Sequence, residues 1–253
     1  MSTELLERHR HRKVVLEGSL NCRDLGGLRT VDGRTTRRGQ VFRSDALATL
    51  TADDKTRLSA LGIRAVFDLR TAEERTRAPN RAPTGCTQQA VGFLPRGNPE
   101  MFQAVNAGKL DVAGTRATMR QQYENLILDH TERLARVFRG LLEPAGSPAL
   151  IHCASGKDRT GIVSAVLLLA VGVAREEVLE DYHVSNFQRR PVDLFQGAAD
   201  PAVVEQIMCA VPEYLEVALA AAERQFGSLD DYLRRGVGLL DRERTALADL
   251  LVG

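Results

Sequence analysis

Two kinds of hydrophobic pattern alternate through the first part of the chain. Short, nearly continuous apolar runs predict β-strands at residues 40–43, 64–69, 88–93 and 148–153. Because both faces of such strands are apolar, we expect them to form a sheet covered on both sides. Apolar positions at helical spacing predict helices over residues 51–61 and 115–142, between the strands. The pattern therefore indicates an α/β fold.

After residue 153 the pattern is helical to the end of the chain. Apolar stretches separated by glycine or proline predict helices at residues 161–171, 175–186, 201–209, 212–226, 228–235 and 241–251. Residues 95–114 are rich in glycine, proline and asparagine, which predicts a mobile loop. Because no linker rich in proline or serine divides residues 1–253, we expect one domain with a helical C-terminal elaboration.

Charge and hydropathy exclude several classes of protein. The chain carries 34 lysines and arginines against 33 aspartates and glutamates, a formal net charge of +1, which argues against a protein that binds nucleic acid by bulk charge. The longest apolar run, 162–173, is too short for a membrane span, and no signal peptide is visible. We therefore expect no nucleic-acid partner, no stable membrane insertion, and a protein that is cytoplasmic or exported without a recognisable signal.

The cysteines, histidines and N-terminal basic residues add little chemistry by themselves. Four scattered cysteines favour a reducing compartment over a disulfide scaffold. The five histidines lack the spacing of a metal site, and His183 is interpreted as a surface residue of a helix. The basic run at residues 8–13 is interpreted as a solvated flank.

One loop has the composition of a phosphate site. The strand at 148–153 leads through a glycine-containing loop into an apolar helix, an arrangement that presents backbone N–H groups to an anion. Backbone amides of Ala154, Ser155 and Gly156 and the positive helix end are expected to hold Cys153 as a thiolate, the form that attacks phosphorus. Arg159 can direct two N–H donors at the phosphate oxygens.

The neighbouring residues have supporting tasks in the same chemistry. Thr160 can donate its hydroxyl to the sulfur and help it leave when a cysteinyl phosphate is hydrolysed. His152 is expected to organise the loop through hydrogen bonds. Lys157 adds a second cation, which favours substrates with more than one phosphate or with an acidic flank. A nucleotide-binding P-loop is excluded because the GxxxxGK[ST] spacing is absent.

These motifs resemble one known family. The run HCASGKDRTG at 152–161 is similar to the signature of cysteine-dependent tyrosine phosphatases. The atypical bacterial members of that family also resemble this chain at NCRDLGG (21–27), VFRSDAL (41–47), VFDLRTAEE (66–74), DYHVSN (181–186) and SLDDYLRRG (228–236). The resemblance implies a central, mainly parallel sheet flanked by helices, no metal cofactor and a helical lid within about residues 175–235. It also implies activity on phosphotyrosine, in some members also on phosphoserine, phosphothreonine or phosphoinositides.

The identity of the general acid stays open at this point. Many tyrosine phosphatases use an aspartate roughly thirty residues before the cysteine, but this chain has Tyr123 and Glu124 there. We favour Asp158, directly before Arg159, a placement that resembles the myotubularin-like inositide phosphatases. Asp68, at the end of a predicted strand, is the second candidate, although an ion pair with an arginine is its more ordinary role. The remaining candidates are Glu124 and the acidic residues of the predicted mobile loop, Glu100 and Asp111.

The motif at 21–27 supplies three further candidates. Arg23 and Asp24 form either a structural salt bridge or part of the wall of the phosphate site. Cys22 is interpreted as a packing residue. Its alternative role is that of a resolving thiol, which would form a reversible disulfide with oxidised Cys153.

The sequence thus predicts a phosphate monoester hydrolase that forms a cysteinyl phosphate and acts on phosphorylated proteins. The main alternative is a phosphoinositide phosphatase. A rhodanese-like sulfurtransferase would also place a cysteine in an anion loop, but Arg159, Thr160 and the apolar helix fit phosphate better. A phospho-binding module without catalysis would not need both Cys153 and Arg159. We favour a monomer, although the sequence does not determine the oligomeric state.

Overall fold

The computed structural model describes residues 2–188, 195 and 199–253. Its strands are β1 (Arg23–Asp24), β2 (Val41–Ser44), β3 (Ala65–Asp68), β4 (Thr87–Ala90) and β5 (Ala149–His152). They form a sheet in the order β1-β2-β5-β3-β4, in which β1 is antiparallel to β2 and every other pairing is parallel. The predicted mainly parallel sheet is therefore confirmed, and each of the four predicted strands is present.

Strand register brings the candidate chemistry to one edge of the sheet. His152, the last residue of β5, pairs with Ser44 at the end of β2 and with Asp68 at the end of β3. Because these three strands are parallel, the loops that follow them begin side by side. Residues far apart in sequence thus meet beside the loop that starts at Cys153.

The described helices cover both faces of the sheet. They are α1 (Ser2–His9), α2 (Ala52–Ala60), α3 (Ala72–Arg77), α4 (Asn98–Asn106), α5 (Val112–Leu128), α6 (Thr131–Leu141), α7 (Asp158–Ala170), α8 (Arg175–Val184), α9 (Pro201–Met208), α10 (Pro212–Phe226), α11 (Leu229–Asp231) and α12 (Asp241–Leu251). Alternate strand residues enter two separate cores, with Phe67 and Ile151 in the larger and Val66 and Leu150 in the smaller. Within the described residues, each helix is too short or too polar to cross a membrane.

Two predicted segments differ from the structure. Residues 95–114, predicted as a mobile loop, contain α4 and the start of α5. Gly97 and Pro99 lie at the beginning of α4, and Met101 and Val105, four residues apart, bury one face of that helix. The predicted helix at 115–142 is two helices, α5 and α6. The chain breaks between them at His130, whose ring is bonded to the carbonyl of Leu94 at 2.8 Å.

The helices of the predicted C-terminal elaboration share the main core. α10 packs on α5, and its residues Tyr214 and Leu215 belong to the same buried cluster as Phe67. Residues 189–194 and 196–198, within the predicted lid at 175–235, lie outside the described residues. The described part of that range contains α8, α9, α10 and α11, with π-helical turns at Tyr232–Gly236 following α11.

Candidate active site

The candidate nucleophile lies in the turn between β5 and α7. Cys153 is 1% exposed, and its Sγ accepts a hydrogen bond from the Gly156 amide at 3.2 Å. Gly156 has φ +67, and a Cβ at this position would lie 2.5 Å from the carbonyl oxygen of Ser44. Only glycine fits, because both the backbone angle and the close approach of β2 exclude a side chain. The loop amide therefore donates to the sulfur, as the sequence predicts.

Glu74 holds the candidate phosphate-binding arginine. Its two carboxylate oxygens accept from Nη1 and Nη2 of Arg159, each at 2.7 Å. Burial alone would raise the pKa of Glu74, but the hydrogen bonds from Arg159 outweigh burial and lower it. Burial likewise opposes the charge of Arg159, and Glu74 outweighs it, so the pKa of Arg159 is raised. This two-point ion pair keeps both groups charged.

Glu74 was not a candidate from the sequence, although a local signal for it was visible. It is the third residue of α3, and its Oε2 accepts from the amide of Thr71 while Thr71 Oγ1 accepts from the amide of Glu74. This reciprocal capping box is encoded by the spacing T-x-x-E. The partner of the capping carboxylate, Arg159, lies 85 residues away and is not visible in the local sequence.

The guanidinium of Arg159 is anchored on one side. Besides Glu74, Nη1 donates to the carbonyls of Leu69 at 3.1 Å and Phe93 at 3.3 Å. An arginine carries five N–H donors in a fixed plane. Among the described residues Arg159 uses only Nη1 and one hydrogen of Nη2, which leaves Nε and the second hydrogen of Nη2 for a ligand. The side chain is thus oriented before any substrate arrives.

Asp158 lies beside the nucleophile loop at the start of α7. It accepts a hydrogen bond from the Tyr123 hydroxyl, which in turn is bonded to the Tyr182 hydroxyl. Burial raises the pKa of both tyrosines, so they stay protonated, and Tyr182 must donate to Tyr123 because Tyr123 donates to Asp158. Asp158 is 32% exposed and lines the cavity next to the loop, which is the position a general acid requires.

Lys157 is directed at the helical elaboration. Its Nζ donates to the carbonyls of Ile207 and Cys209 at the end of α9 and lies 3.2 Å from Asp158 Oδ1. The residue is 6% exposed, although it lines the cavity. In this conformation, therefore, Lys157 ties the loop to α9. Presenting a second cation to a substrate, as the sequence predicts, would require its ammonium group to leave these carbonyls.

His152 and Asp68 support the loop from beneath. His152 Nδ1 lies 3.1 Å from the carbonyl oxygen of Cys153, and Nε2 lies 3.1 Å from the side-chain nitrogen of Asn80. Because a carbonyl oxygen can only accept, we assign the proton to Nδ1. Burial lowers the pKa of His152 to about 4, which keeps the ring neutral. Asp68 accepts from Arg70 at 2.8 Å and from Asn80 at 2.9 Å. It does not line the cavity, and its ion pair with Arg70 is the ordinary role that the sequence allowed.

The remaining candidates lie apart from the cavity. Thr160 Oγ1 is buried and has no hydrogen-bond partner among the described residues, so its predicted bond to the sulfur is not formed. Arg23 pairs with Asp181 at 3.0 Å, while Asp24 accepts from the amides of Gly26 and Gly39. Arg23 therefore forms a structural salt bridge with Asp181 and not with Asp24, and neither Arg23 nor Asp24 lines the cavity.

Cys22 has the environment of a packing residue. It belongs to the smaller core cluster, whereas Cys153 belongs to the larger one. Burial raises the pKa of Cys22 to about 12. A resolving thiol needs thiolate character and access, so this environment favours packing.

A cavity of about 600 Å³ opens beside the loop. One side is polar and includes Asp45, Glu74, Lys157, Asp158 and Arg159. Side chains of the helices complete an apolar wall, formed by Met101, Phe102, Met119, Leu126, Ile207 and Met208. The size and the mixed lining suit a phosphate carried on an organic group. Among the described side chains, no group of three or more histidines, cysteines, aspartates or glutamates is arranged to hold a metal ion.

Comparisons with known proteins agree with the chemistry of this loop. The profile described as the tyrosine phosphatase family matches residues 14–253. A protein from Cupriavidus necator that carries the description of a tyrosine-protein phosphatase is 34% identical over 222 residues, 85% of this chain and 80% of its own. The triple specificity protein phosphatase PtpB of Mycobacterium tuberculosis is 29% identical over 258 residues, 87% of this chain and 92% of its own.

Similarity to solved structures is weaker. The crystal structure of TpbA from P. aeruginosa aligns with a TM-score of 0.33 at 15% identity, over 75% of this chain and 90% of TpbA. A likeness of this size supports no inference about the present chain, so the family assignment depends on the sequence relatives and on the family profile.

Proposed function

Because this chain belongs to the tyrosine phosphatase family, we propose that it hydrolyses phosphate monoesters in two steps through a cysteinyl phosphate. The observation that carries the proposal is the pairing of two features at one loop. Cys153 Sγ accepts the Gly156 amide at 3.2 Å, and Glu74 holds the guanidinium of Arg159 with two donors left for an oxyanion. A nucleophile and an oriented oxyanion clamp are the two parts that phosphoryl transfer needs.

In the first step the thiolate of Cys153 attacks phosphorus. The S–P bond forms and the bond from phosphorus to the leaving oxygen breaks, while that oxygen takes a proton from the carboxyl of Asp158. Arg159 and the loop amides donate hydrogen bonds to the non-bridging oxygens and so stabilise their negative charge. The Asp158 carboxyl accepts from the Tyr123 hydroxyl and lies 3.2 Å from Lys157 Nζ, so both contacts hold it beside the loop.

In the second step a water molecule attacks the phosphorus of the cysteinyl phosphate. One proton of that water passes to the carboxylate of Asp158, and the S–P bond breaks to return the thiolate and release inorganic phosphate. The Thr160 hydroxyl, buried without a partner among the described residues, supplies a donor for the departing sulfur once the loop adjusts.

We propose phosphorylated proteins as substrates, with phosphotyrosine first. The apolar wall of the cavity suits the aromatic ring of that residue, and the polar side receives its phosphate. Phosphoserine, phosphothreonine and phosphoinositides are proposed as additional substrates, since the mycobacterial relative is described as a triple specificity phosphatase. The anchoring of Lys157 on α9 weakens the alternative in which phosphoinositides are the main substrate.

A substrate panel tests this proposal. Phosphate release from a phosphotyrosine peptide, a phosphoserine peptide and a phosphoinositide is measured with a chelator present, together with thiosulfate sulfurtransfer. We expect the highest kcat/KM on phosphotyrosine and no sulfurtransfer. A higher kcat/KM on the phosphoinositide would reverse the order of substrates, and sulfurtransfer without phosphate release would replace the proposed reaction by the rhodanese type.

Replacing Asp158 with asparagine should affect poor leaving groups most. Asparagine keeps the shape but cannot give up a proton, so kcat on phenyl phosphate should fall by about 10²-fold or more. With p-nitrophenyl phosphate, whose leaving oxygen needs little protonation, we expect a fall of less than about tenfold. The measurement is kcat for the two substrates side by side.

Asp68→Asn is the matched comparison for this prediction. Asp68 supports the loop through Asn80 and His152 and does not line the cavity, so its replacement should lower kcat on both substrates by the same factor. Equal losses in Asp158→Asn would assign that residue a structural role as well. A leaving-group dependence in Asp68→Asn alone would move the acid to the second candidate.

A further inference from the structure

Three arginines converge on one buried carboxylate behind the nucleophile loop. Asp181 of α8 accepts from Arg12 at 2.7 Å, from Arg23 at 3.0 Å and from Arg43 of β2 at 2.6 Å. All four side chains are 1% exposed. Burial alone would raise the pKa of Asp181, but the three guanidinium groups outweigh it and hold that pKa well below the usual range. The N-terminal basic run, predicted to be solvated, is therefore buried at Arg12.

This cluster is connected to the loop by two side chains. The second nitrogen of the Arg43 guanidinium, Nη2, donates to the carbonyl of Gly156 at 2.8 Å. The Asn21 amide donates to the carbonyl of Ser155 at 3.1 Å and to that of Gly156 at 3.2 Å. Asn21 is held in turn, because its side-chain oxygen accepts from Arg23. Both loop carbonyls are thus bonded on the side that faces the cluster.

The direction of a peptide carbonyl sets the direction of the next amide. In a planar trans peptide the C=O and the following N–H point in opposite directions. With the Ser155 carbonyl on the cluster side, the Gly156 amide points away from it, and this amide does donate to Cys153 Sγ at 3.2 Å. By the same geometry the Gly156 carbonyl, bonded to Arg43, turns the Lys157 amide toward the nucleophile side.

We propose that Arg43, held by Asp181 of α8, is a positioning residue that orients the Ser155 and Gly156 peptide groups so that their amides face the phosphate. The inference depends on the proposed function of the loop and adds residues that do not touch the substrate. Asp181 fixes Arg43 through Nη1 while Nη2 remains on the loop carbonyl, so the planar fork of arginine performs two tasks at once.

The same arrangement places positive charge behind the anion site. Three guanidinium groups face a single carboxylate. The titratable groups next to Arg12 are His9, whose Nδ1 accepts from Arg12, and Glu180 of α8, which lies 3.5 Å from His9 Nε2 and pairs with Arg8. Burial lowers the pKa of His9, so this histidine stays neutral and adds no charge. The net charge of the core group is positive, which favours an anion at the loop amides.

Arg43→Lys tests the proposal, with Arg12→Lys as its matched control. Lysine keeps the charge but has a single nitrogen, which cannot bond Asp181 and the Gly156 carbonyl in the geometry of the fork. Arg12 also makes a two-point contact, with Asp181 and with the carbonyl of Asp24 at 2.8 Å, but it does not touch the loop. The two variants therefore remove the same kind of contact from the same carboxylate.

The measurements are kcat and KM on p-nitrophenyl phosphate, inhibition by inorganic phosphate and orthovanadate, and the melting temperature. For Arg43→Lys we expect kcat to fall by about tenfold or more, a larger change than in KM, with vanadate inhibition weakened by a similar factor. For Arg12→Lys we expect a similar drop in melting temperature with kcat and vanadate inhibition within about twofold of the unchanged protein.

Asn21→Asp gives a second route if Arg43→Lys fails to fold. The substitution is isosteric but replaces the donor to both loop carbonyls by an acceptor, so the same selective loss of kcat and vanadate inhibition is expected. Equal losses in Arg43→Lys and Arg12→Lys, or unchanged vanadate inhibition in a folded Arg43→Lys or Asn21→Asp protein, would overturn the proposal. If the unchanged protein neither turns over phosphate monoesters nor is inhibited by vanadate, the proposed function itself fails.

Discussion

Replacement of Cys153 by serine is expected to lower kcat on phosphate monoesters by at least about 10⁴-fold, because the hydroxyl of serine is not ionised at neutral pH and forms no covalent intermediate. Binding of inorganic phosphate should survive, since Arg159 and the loop amides are unchanged. The checks are steady-state kinetics with p-nitrophenyl phosphate and calorimetric titration of the variant with inorganic phosphate.

Cys86→Ser provides the control for this substitution. Cys86 is half-buried, and its Sγ donates to the carbonyl of Pro83, a bond that serine can also make. Its replacement should leave kcat within about twofold of the unchanged protein. Turnover by Cys153→Ser within about tenfold of the unchanged protein would contradict covalent catalysis by this residue.

Arg159→Lys is expected to lower kcat/KM by about 10³-fold or more. The guanidinium bonds Glu74 with two nitrogens on one side and has donors left for phosphate on the other, and an ammonium group cannot serve both sides. Most of the loss should appear in kcat, because the transition state carries more charge on its oxygens than the substrate does. Steady-state kinetics and orthovanadate inhibition measure the two contributions.

Arg96→Lys is the matched control. Arg96 also makes a two-point contact with a carboxylate, because its Nε and Nη2 each donate to Asp129 at 2.8 Å. It lies on the surface, away from the loop. Its replacement should change kcat/KM by less than about twofold, as expected for an exposed ion pair. A mild effect of Arg159→Lys, comparable to that of Arg96→Lys, would show that the guanidinium fork is not needed.

Local sequence was sufficient for much of the fold and for the loop. The strand at 148–153, the glycine in the loop and the apolar helix after it are neighbours in the chain, so their pattern predicts the structure directly. Nearby residues also predict helix boundaries. In α2, Thr51 and Asp54 form a capping box, and α10 has the predicted bounds. These features depend on interactions a few residues apart.

The predictions that were wrong concern segments whose structure depends on residues far away in the sequence. Residues 95–114 were predicted as a loop because glycine and proline are frequent there, yet tertiary packing of Met101 and Val105 stabilises α4. The basic run at 8–13 was predicted to be solvated, although Arg12 is buried because Asp181, 169 residues away, neutralises it. Composition describes the average environment of a residue type and not the partner it meets.

By itself the sequence determined which groups the loop after β5 carries: a cysteine, a glycine and an arginine, between a strand and a helix. Only the tertiary structure decided how those groups are held in place. Glu74 reaches Arg159 across 85 residues because the parallel strands β3 and β5 end together at one edge of the sheet. Asp181 reaches Arg43 across 138 residues because α8 packs beside β2 in the folded protein. Spacing along the chain encodes which groups are present, whereas the direction of an amide or a guanidinium depends on contacts that only folding creates.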